Sequence, residues 1–148
     1  MAKRIEPVRK SVKEILQDLR TGHREANFSG PESALKYLNR TLEGQSSLPN
    51  GVKAVAYDLI AEAKAQLQDW DGVELALQGF LKHLPDLGEA LGHGFREALT
   101  ATTALERGVQ ARSEQGDFHG ALELCERAIS LDLGAHWTAK RESLDWAR

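Results

Sequence analysis

Two stretches of this chain, residues 68–81 and residues 116–129, carry the same pattern and align without a gap. Each begins with turn residues, an aspartate and an aromatic side chain, which is Trp70 in the first stretch and Phe118 in the second. Apolar residues then follow three and four positions apart, as in an amphipathic helix. A repeated turn and helix indicates stacked helical hairpins, because one hairpin cannot bury its own apolar face. Stacked hairpins usually bind other proteins.

Composition places the chain among soluble globular proteins. It has 148 residues, of which 41% are hydrophobic and 28% are charged, enough to build one well-filled core. No run of about 18 apolar residues could span a membrane, and the basic start leads into charged residues where a signal peptide would need an apolar stretch. We therefore predict a single cytoplasmic domain over residues 1–148 with no membrane contact.

The helical spacing recurs from end to end, and alternating strand patterns are absent, which predicts an all-α fold. The first helix is expected to end at Gly22 and the second to begin at Pro31. A turn-rich linker over residues 44–51 precedes a third helix at 52–67, and Pro85 ends a fourth helix that begins near residue 71. Residues 87–115 contain no proline and predict one helix of about 40 Å, with Gly92 and Gly94 as the place for a bend. A sixth helix is predicted over 118–131 and a seventh over 136–146.

The pattern resembles the tetratricopeptide-repeat (TPR) family, whose antiparallel helical hairpins stack into a right-handed superhelix. The later unit matches through Gly116, Phe118, Ala121 and Ala128, and the earlier unit through Tyr57, Ile60, Ala61 and Pro85. The resemblance implies a short TPR-like stack of hairpins over residues 1–44, 52–86 and 87–133, with a capping helix over 135–148. The two aligned aromatics are 48 positions apart, whereas the family repeat is 34, so the extra length is assigned to the fifth helix.

By the same resemblance, the protein is a non-enzymatic interaction module or scaffold that binds a partner peptide or helix on a groove formed by the third, fifth and seventh helices. The groove positions hold Asp58, Glu62, Glu106, Gln110 and Arg141. Many family members bind acidic carboxyl-terminal peptides with a lysine, arginine and asparagine clamp, but here only Arg141 is of that type. The resemblance therefore implies a partly acidic surface that favours a basic or mixed partner.

Two tryptophans near the end of the chain face different ways. Trp137 and Trp146 are nine residues apart and project from opposite sides of a helix, so only one of them can face the core. Trp137 shares its side with Leu144, which leaves Trp146 as a predicted exposed partner contact. An apolar overhang of the long fifth helix, which carries Leu91, Phe95 and Leu99, would need a cover. The first hairpin could supply it within the chain, or a second copy could supply it in a weak homodimer that also uses Trp146.

The alternative is a nucleic-acid-associated regulator that uses the first helix. Residues 1–24 hold seven basic and three acidic side chains, whereas the whole chain has a net charge of −3. The basic residues that would contact phosphate are Arg9, Lys10, Lys13 and Arg20. The interleaved acids weaken this field, so we favour a solvated face.

Catalytic and metal chemistry find little support in the sequence. None of the five histidines lie three or four residues apart, which excludes a helical pair of metal ligands. Cys125 is the only cysteine and occupies a buried stripe, so a packed, inert thiol is expected. We predict no cofactor, no metal and no catalytic residue.

Overall fold

The structure, a computed structural model, describes residues 11–44, 48–87, 100 and 102–147. These residues form helices and connecting turns without any strand, which confirms the predicted all-α class. The helices are α1 (Val12–Asn27), α2 (Pro31–Gly44), α3 (Asn50–Gln66), α4 (Trp70–His83), α5 (Ala104–Glu114), α6 (Phe118–Ser130) and α7 (His136–Ala147). A single 3₁₀ turn, Leu84–Asp86, follows α4 and contains Pro85, so the predicted stop is confirmed.

Each helix packs against the next along the described chain. In addition, both α1 and α5 contact α3. The main apolar cluster runs through the stack, and Ala65, Val73 and Ala111 form a second, small one. The largest side chains in the core with no or almost no exposed surface are Leu38, Val52, Val73, Leu77, Phe80, Leu87 and Cys125. Burial of apolar surface of this kind contributes about 25 cal/mol per Å² and is the main force that holds the helices together.

The two aligned stretches begin with turns of the same structure. Asp69 caps α4 by accepting the Gly72 N–H at 3.0 Å, and Asp117 caps α6 by accepting the Gly120 N–H at 2.9 Å. The residue before each aspartate has a positive φ, 56° at Gln68 and 78° at Gly116. An aspartate side chain that satisfies an unpaired N–H of the first helical turn is a common start of a helix. The repeat read from the sequence is therefore a repeat of local structure.

The predicted end of α1 at Gly22 is wrong, because the helix continues to Asn27. Gly22 instead lies under the aromatic ring of Tyr37 on α2, and a Cβ atom at this position would overlap that ring. The Tyr37 hydroxyl donates a hydrogen bond to the Asp18 carbonyl oxygen at 3.3 Å. Gly22 thus permits the close approach of α1 and α2 and does not terminate a helix.

Substitution of Gly22 by alanine is expected to lower the free energy of unfolding by about 1–2 kcal/mol, because the Tyr37 ring must move to make room for a methyl group. Gly44→Ala is the matched control, since Gly44 also lies in a helix and has no atom within 4 Å of the added Cβ. Urea unfolding followed by circular dichroism measures both. Equal stability of the two variants would contradict this account of the α1–α2 contact.

The single long helix predicted over residues 87–115 is also wrong. Thr102 and Thr103 are not helical, with φ −121° and ψ 1° at Thr103, and α5 begins at Ala104. The predicted residues Leu91, Phe95 and Leu99, and the glycines at 92 and 94, lie outside the described residues. The break at Thr102 and Thr103 excludes one continuous helix over this range, and the weak homodimer stays a prediction.

The linker predicted over residues 44–51 ends two residues earlier than expected. Asn50 and Gly51 already belong to α3, which begins after Pro49. Gly51 is buried, so packing of the first turn of α3 holds it in the helix despite its low helix propensity. Residues 45–47 lie outside the described part of the chain.

Candidate functional site: the groove between α5 and α7

The contact between α3 and α5 is closed by two carboxylates from α3. Asp58 is 8% exposed and accepts the backbone N–H of Thr103 at 2.8 Å, at the N-terminus of α5. One turn later, Glu62 accepts two bonds from the Arg107 guanidinium, at 2.6 Å and 3.1 Å. The Thr103 hydroxyl donates to Glu62 as well, at 3.3 Å. We call this set of contacts the α3–α5 seam.

The two carboxyl groups of the seam have shifted pKa values of opposite sign. Burial raises the pKa of Asp58 to about 6, although the N–H bonds from the start of α5 oppose this shift. The hydrogen bonds from Arg107 lower the pKa of Glu62. Glu62 is therefore held as an anion by its partner, whereas the charge of Asp58 is unfavourable in its buried position.

The neighbouring space between α5 and α7 is open, unlike the α3–α5 seam. A groove of about 730 Å³ separates the two helices, and α7 packs instead on α6. Its lining residues are Glu106, Arg107, Val109, Gln110 and Ser113 on α5, and His136, Ala139, Lys140, Ser143 and Leu144 on α7. Across the groove, the two helices approach at His136 Nε2 and Glu106 Oε1, which are 3.4 Å apart.

The charged groups of the groove differ in how far they are paired. Arg107 is bonded to Glu62 and also donates to the Gln110 side-chain oxygen at 3.0 Å. The NH₂ group of the Gln110 side chain takes no part in this bond. The Lys140 ammonium lies 5.6 Å from the centre of the Trp137 ring, within the range of a cation–π contact. Among the described residues, no carboxylate lies within ion-pair distance of Lys140.

The structure brings together only two of the predicted partner-binding residues. Glu106 and Gln110 both line the groove. Asp58 and Glu62, expected on an accessible acidic surface, are engaged in the α3–α5 seam, and the groove itself carries both signs of charge. Arg141 lies apart from the groove and pairs with Glu126 on α6 at 3.3 Å.

Trp137 and Trp146 lie as expected on different sides of α7. Trp137 is 3% exposed and belongs to the core, whereas Trp146 is 90% exposed. Trp146 follows Ser143 by three residues on α7, so it stands at the edge of the groove and not among its lining residues.

Sequence reasoning missed Arg107, Ser113, His136 and Lys140 as groove residues. A signal exists, because Glu106 and Gln110 are four residues apart on α5, and His136 and Lys140 are four apart on α7. This spacing places each pair on one helical face. Nothing in the sequence, however, states that the two faces meet.

The basic residues of the alternative function are only partly described. Lys13 and Arg20 are exposed on α1, and Arg9 and Lys10 lie outside the described residues. The exposed side of α1 also carries Glu14 and Asp18, so its charge is mixed. Binding of nucleic acid by this helix stays a prediction.

The described residues offer no metal cluster, membrane-spanning helix or exposed thiol. No group of three or more metal-ligating side chains is present in the described part of the chain. None of the helices in this part is both long and apolar enough to cross a membrane. Cys125 is fully buried, and burial raises the pKa of its thiol, so the expected inert thiol agrees with its surroundings.

Comparison with protein-family models, with curated proteins and with solved structures finds no match. The function must therefore be argued from the residues and from the geometry of the groove.

Proposed function

We propose that this protein is a non-enzymatic interaction module that binds a segment of a partner protein in the groove between α5 and α7. The observation that carries the proposal is the open groove itself, which lies beside the hydrogen-bonded α3–α5 seam of the same helix. Its volume of about 730 Å³ falls within the range of sites that bind ligands. Its lining combines the apolar Val109, Ala139 and Leu144 with polar and charged side chains, which is the composition expected of such a site.

We infer a TPR-like arrangement of the hairpins, which fits the proposed function. The repeated turns before α4 and α6 fit a stack of hairpins, in which the first helices of successive hairpins line one side. α7 then acts as the capping helix, because its surface away from α6 is polar. The exposed or half-buried residues on that surface are Thr138, Glu142 and Asp145. The single, buried cysteine fits a reducing compartment, so we place the module in the cytoplasm.

Replacement of Ser143 by arginine is the direct test, because a long charged side chain from α7 would fill the groove. The full-length tagged chain is used for affinity purification from a lysate of the source cells, and captured proteins are quantified by mass spectrometry. We expect at least a tenfold loss of the specific partners, equivalent to about 1.4 kcal/mol of binding free energy.

Ser130→Arg is the matched control, since Ser130 is an equally exposed serine that lies at the end of α6 and outside the groove. It adds the same side chain and charge, and it should retain every partner. Thermal melts of both variants establish that they are folded. Identical captures with the two variants would contradict the proposal, as would partners lost equally from both.

A further inference from the structure

The groove contains one cation whose charge no group of the described protein balances. Arg107 is neutralised by Glu62, and Glu106 faces His136. Lys140 has no carboxylate within 4.0 Å among the described residues and is half-buried on the α7 wall. An ammonium with no counter-charge nearby is an arrangement that an anionic ligand would complete.

Lys140 already has one contact that favours its position in the groove. Its ammonium rests over the Trp137 ring, and Trp137 is itself 3% exposed and part of the core. A long lysine side chain that is already held in place loses less conformational entropy when it forms an ion pair. The surrounding groups include further hydrogen-bond donors, namely the Gln110 amide and the Ser113 and Ser143 hydroxyls.

The location of Lys140 along the groove separates two kinds of anionic ligand. His136 lies one turn before Lys140 on α7 and Ser143 lies about one turn after it, and both line the same groove. A peptide chain that reaches Lys140 can therefore continue past it toward Ser143, whereas the groove narrows toward His136, which meets Glu106 at 3.4 Å. Glu106 at the narrow end would repel a chain-terminal carboxylate that is pushed toward it.

We propose that the occupant of the groove is a partner segment in which an internal aspartate or glutamate side chain pairs with Lys140 while flanking apolar residues cover Val109, Ala139 and Leu144. This rests on the proposed function and changes the expected chemistry of the partner. The two carboxylates Asp58 and Glu62, which suggested a basic partner, are already bonded to Thr103 and Arg107 within the α3–α5 seam. The charge that remains available on the α7 wall is positive.

Selection from a random peptide display library on the full chain tests the inference. Selection on the wild type should enrich peptides with an acidic residue at one fixed position between apolar residues. Selection on Lys140→Glu should enrich lysine or arginine at that position. Synthetic copies of the wild-type peptides should bind Lys140→Gln about five- to tenfold more weakly, and Lys140→Arg with nearly wild-type affinity. Thermal melts show whether each variant is folded.

Three results would overturn the inference, and they differ from failure of the proposed function. Peptides that Ser143→Arg releases but Lys140→Gln binds normally would show that the groove binds without an acidic side chain. Enrichment of the same peptides on Lys140→Glu as on the wild type would also show that binding needs no acidic side chain. Loss of binding on amidation of the peptide C-terminus would assign the anion to a chain end. If no selected peptide is released by Ser143→Arg, the groove is not the binding site, and the proposed function fails together with the inference.

Discussion

Replacement of Arg112 by methionine is expected to lower the free energy of unfolding by about 2–3 kcal/mol. Arg112 connects three helices, since its guanidinium on α5 donates to both carboxylate oxygens of Glu74 on α4, at 2.8 Å and 3.1 Å, and to the Gly120 carbonyl oxygen on α6 at 2.9 Å. The Arg112 side chain is only 16% exposed. Methionine keeps much of the apolar contact but leaves a partly buried carboxylate and a carbonyl without their donor. Urea unfolding at pH 7 measures the loss.

Arg141→Met is the matched control, because Arg141 forms an ion pair with Glu126, whose side chain is 58% exposed. Exposed pairs contribute little, so this change should stay within about 0.5 kcal/mol of the wild type. Arg112→Lys should be intermediate, since an ammonium cannot reproduce the fork of a guanidinium. If Arg112→Met were as stable as Arg141→Met, the assigned role of Arg112 in joining α4, α5 and α6 would be wrong.

The second large effect concerns pH and the buried carboxyl group of Asp58. We expect Asp58→Asn to gain stability relative to the wild type by about 2–3 kcal/mol as the pH rises from 4 to 8. Burial raises the pKa of Asp58 from 3.8 to about 6, so the native state binds this proton more tightly than the unfolded state. The wild type therefore keeps the full contribution of this group below about pH 4 and loses it as the pH rises through 6. Asparagine carries no proton to lose and can still accept the Thr103 N–H.

Guanidinium unfolding of both proteins at several pH values gives the difference between their free energies of unfolding. Titrating groups that behave alike in the two proteins do not contribute to this difference. Glu62→Gln is the control of opposite sign, because the Arg107 bond lowers the pKa of Glu62. The wild type should gain stability relative to Glu62→Gln as the pH rises through the acidic range. A pH-independent difference between Asp58→Asn and the wild type would contradict the raised pKa.

Local chemistry explains why several elements could be predicted from the sequence. The aspartate caps at residues 69 and 117 act within three residues, and Pro85 limits α4 through its own missing N–H. The burial of Trp137 and the exposure of Trp146 follow from helical periodicity alone. Such features depend on neighbours along the chain, which a sequence displays directly.

The incorrect predictions have long-range causes. Glycine often ends helices, but the role of Gly22 is determined by the Tyr37 ring on α2. The break before α5 is fixed by Asp58, which lies 45 positions from the Thr103 N–H that it accepts. The groove depends in turn on where α7 rests on α6. The proximity of Glu106 and His136 becomes apparent only when the tertiary packing is known.

The α3–α5 seam also bears on the order in which the protein assembles. Its bonds join residues 41 to 45 positions apart, whereas the turns before α4 and α6 close within five. Closing the longer loop costs more entropy, so we expect the hairpins to form early and the seam late. Because α5 supplies one wall of the groove, that wall reaches its final position only when the seam closes. A ligand that recognises the groove then selects molecules that have completed this last step, and its binding holds the seam shut.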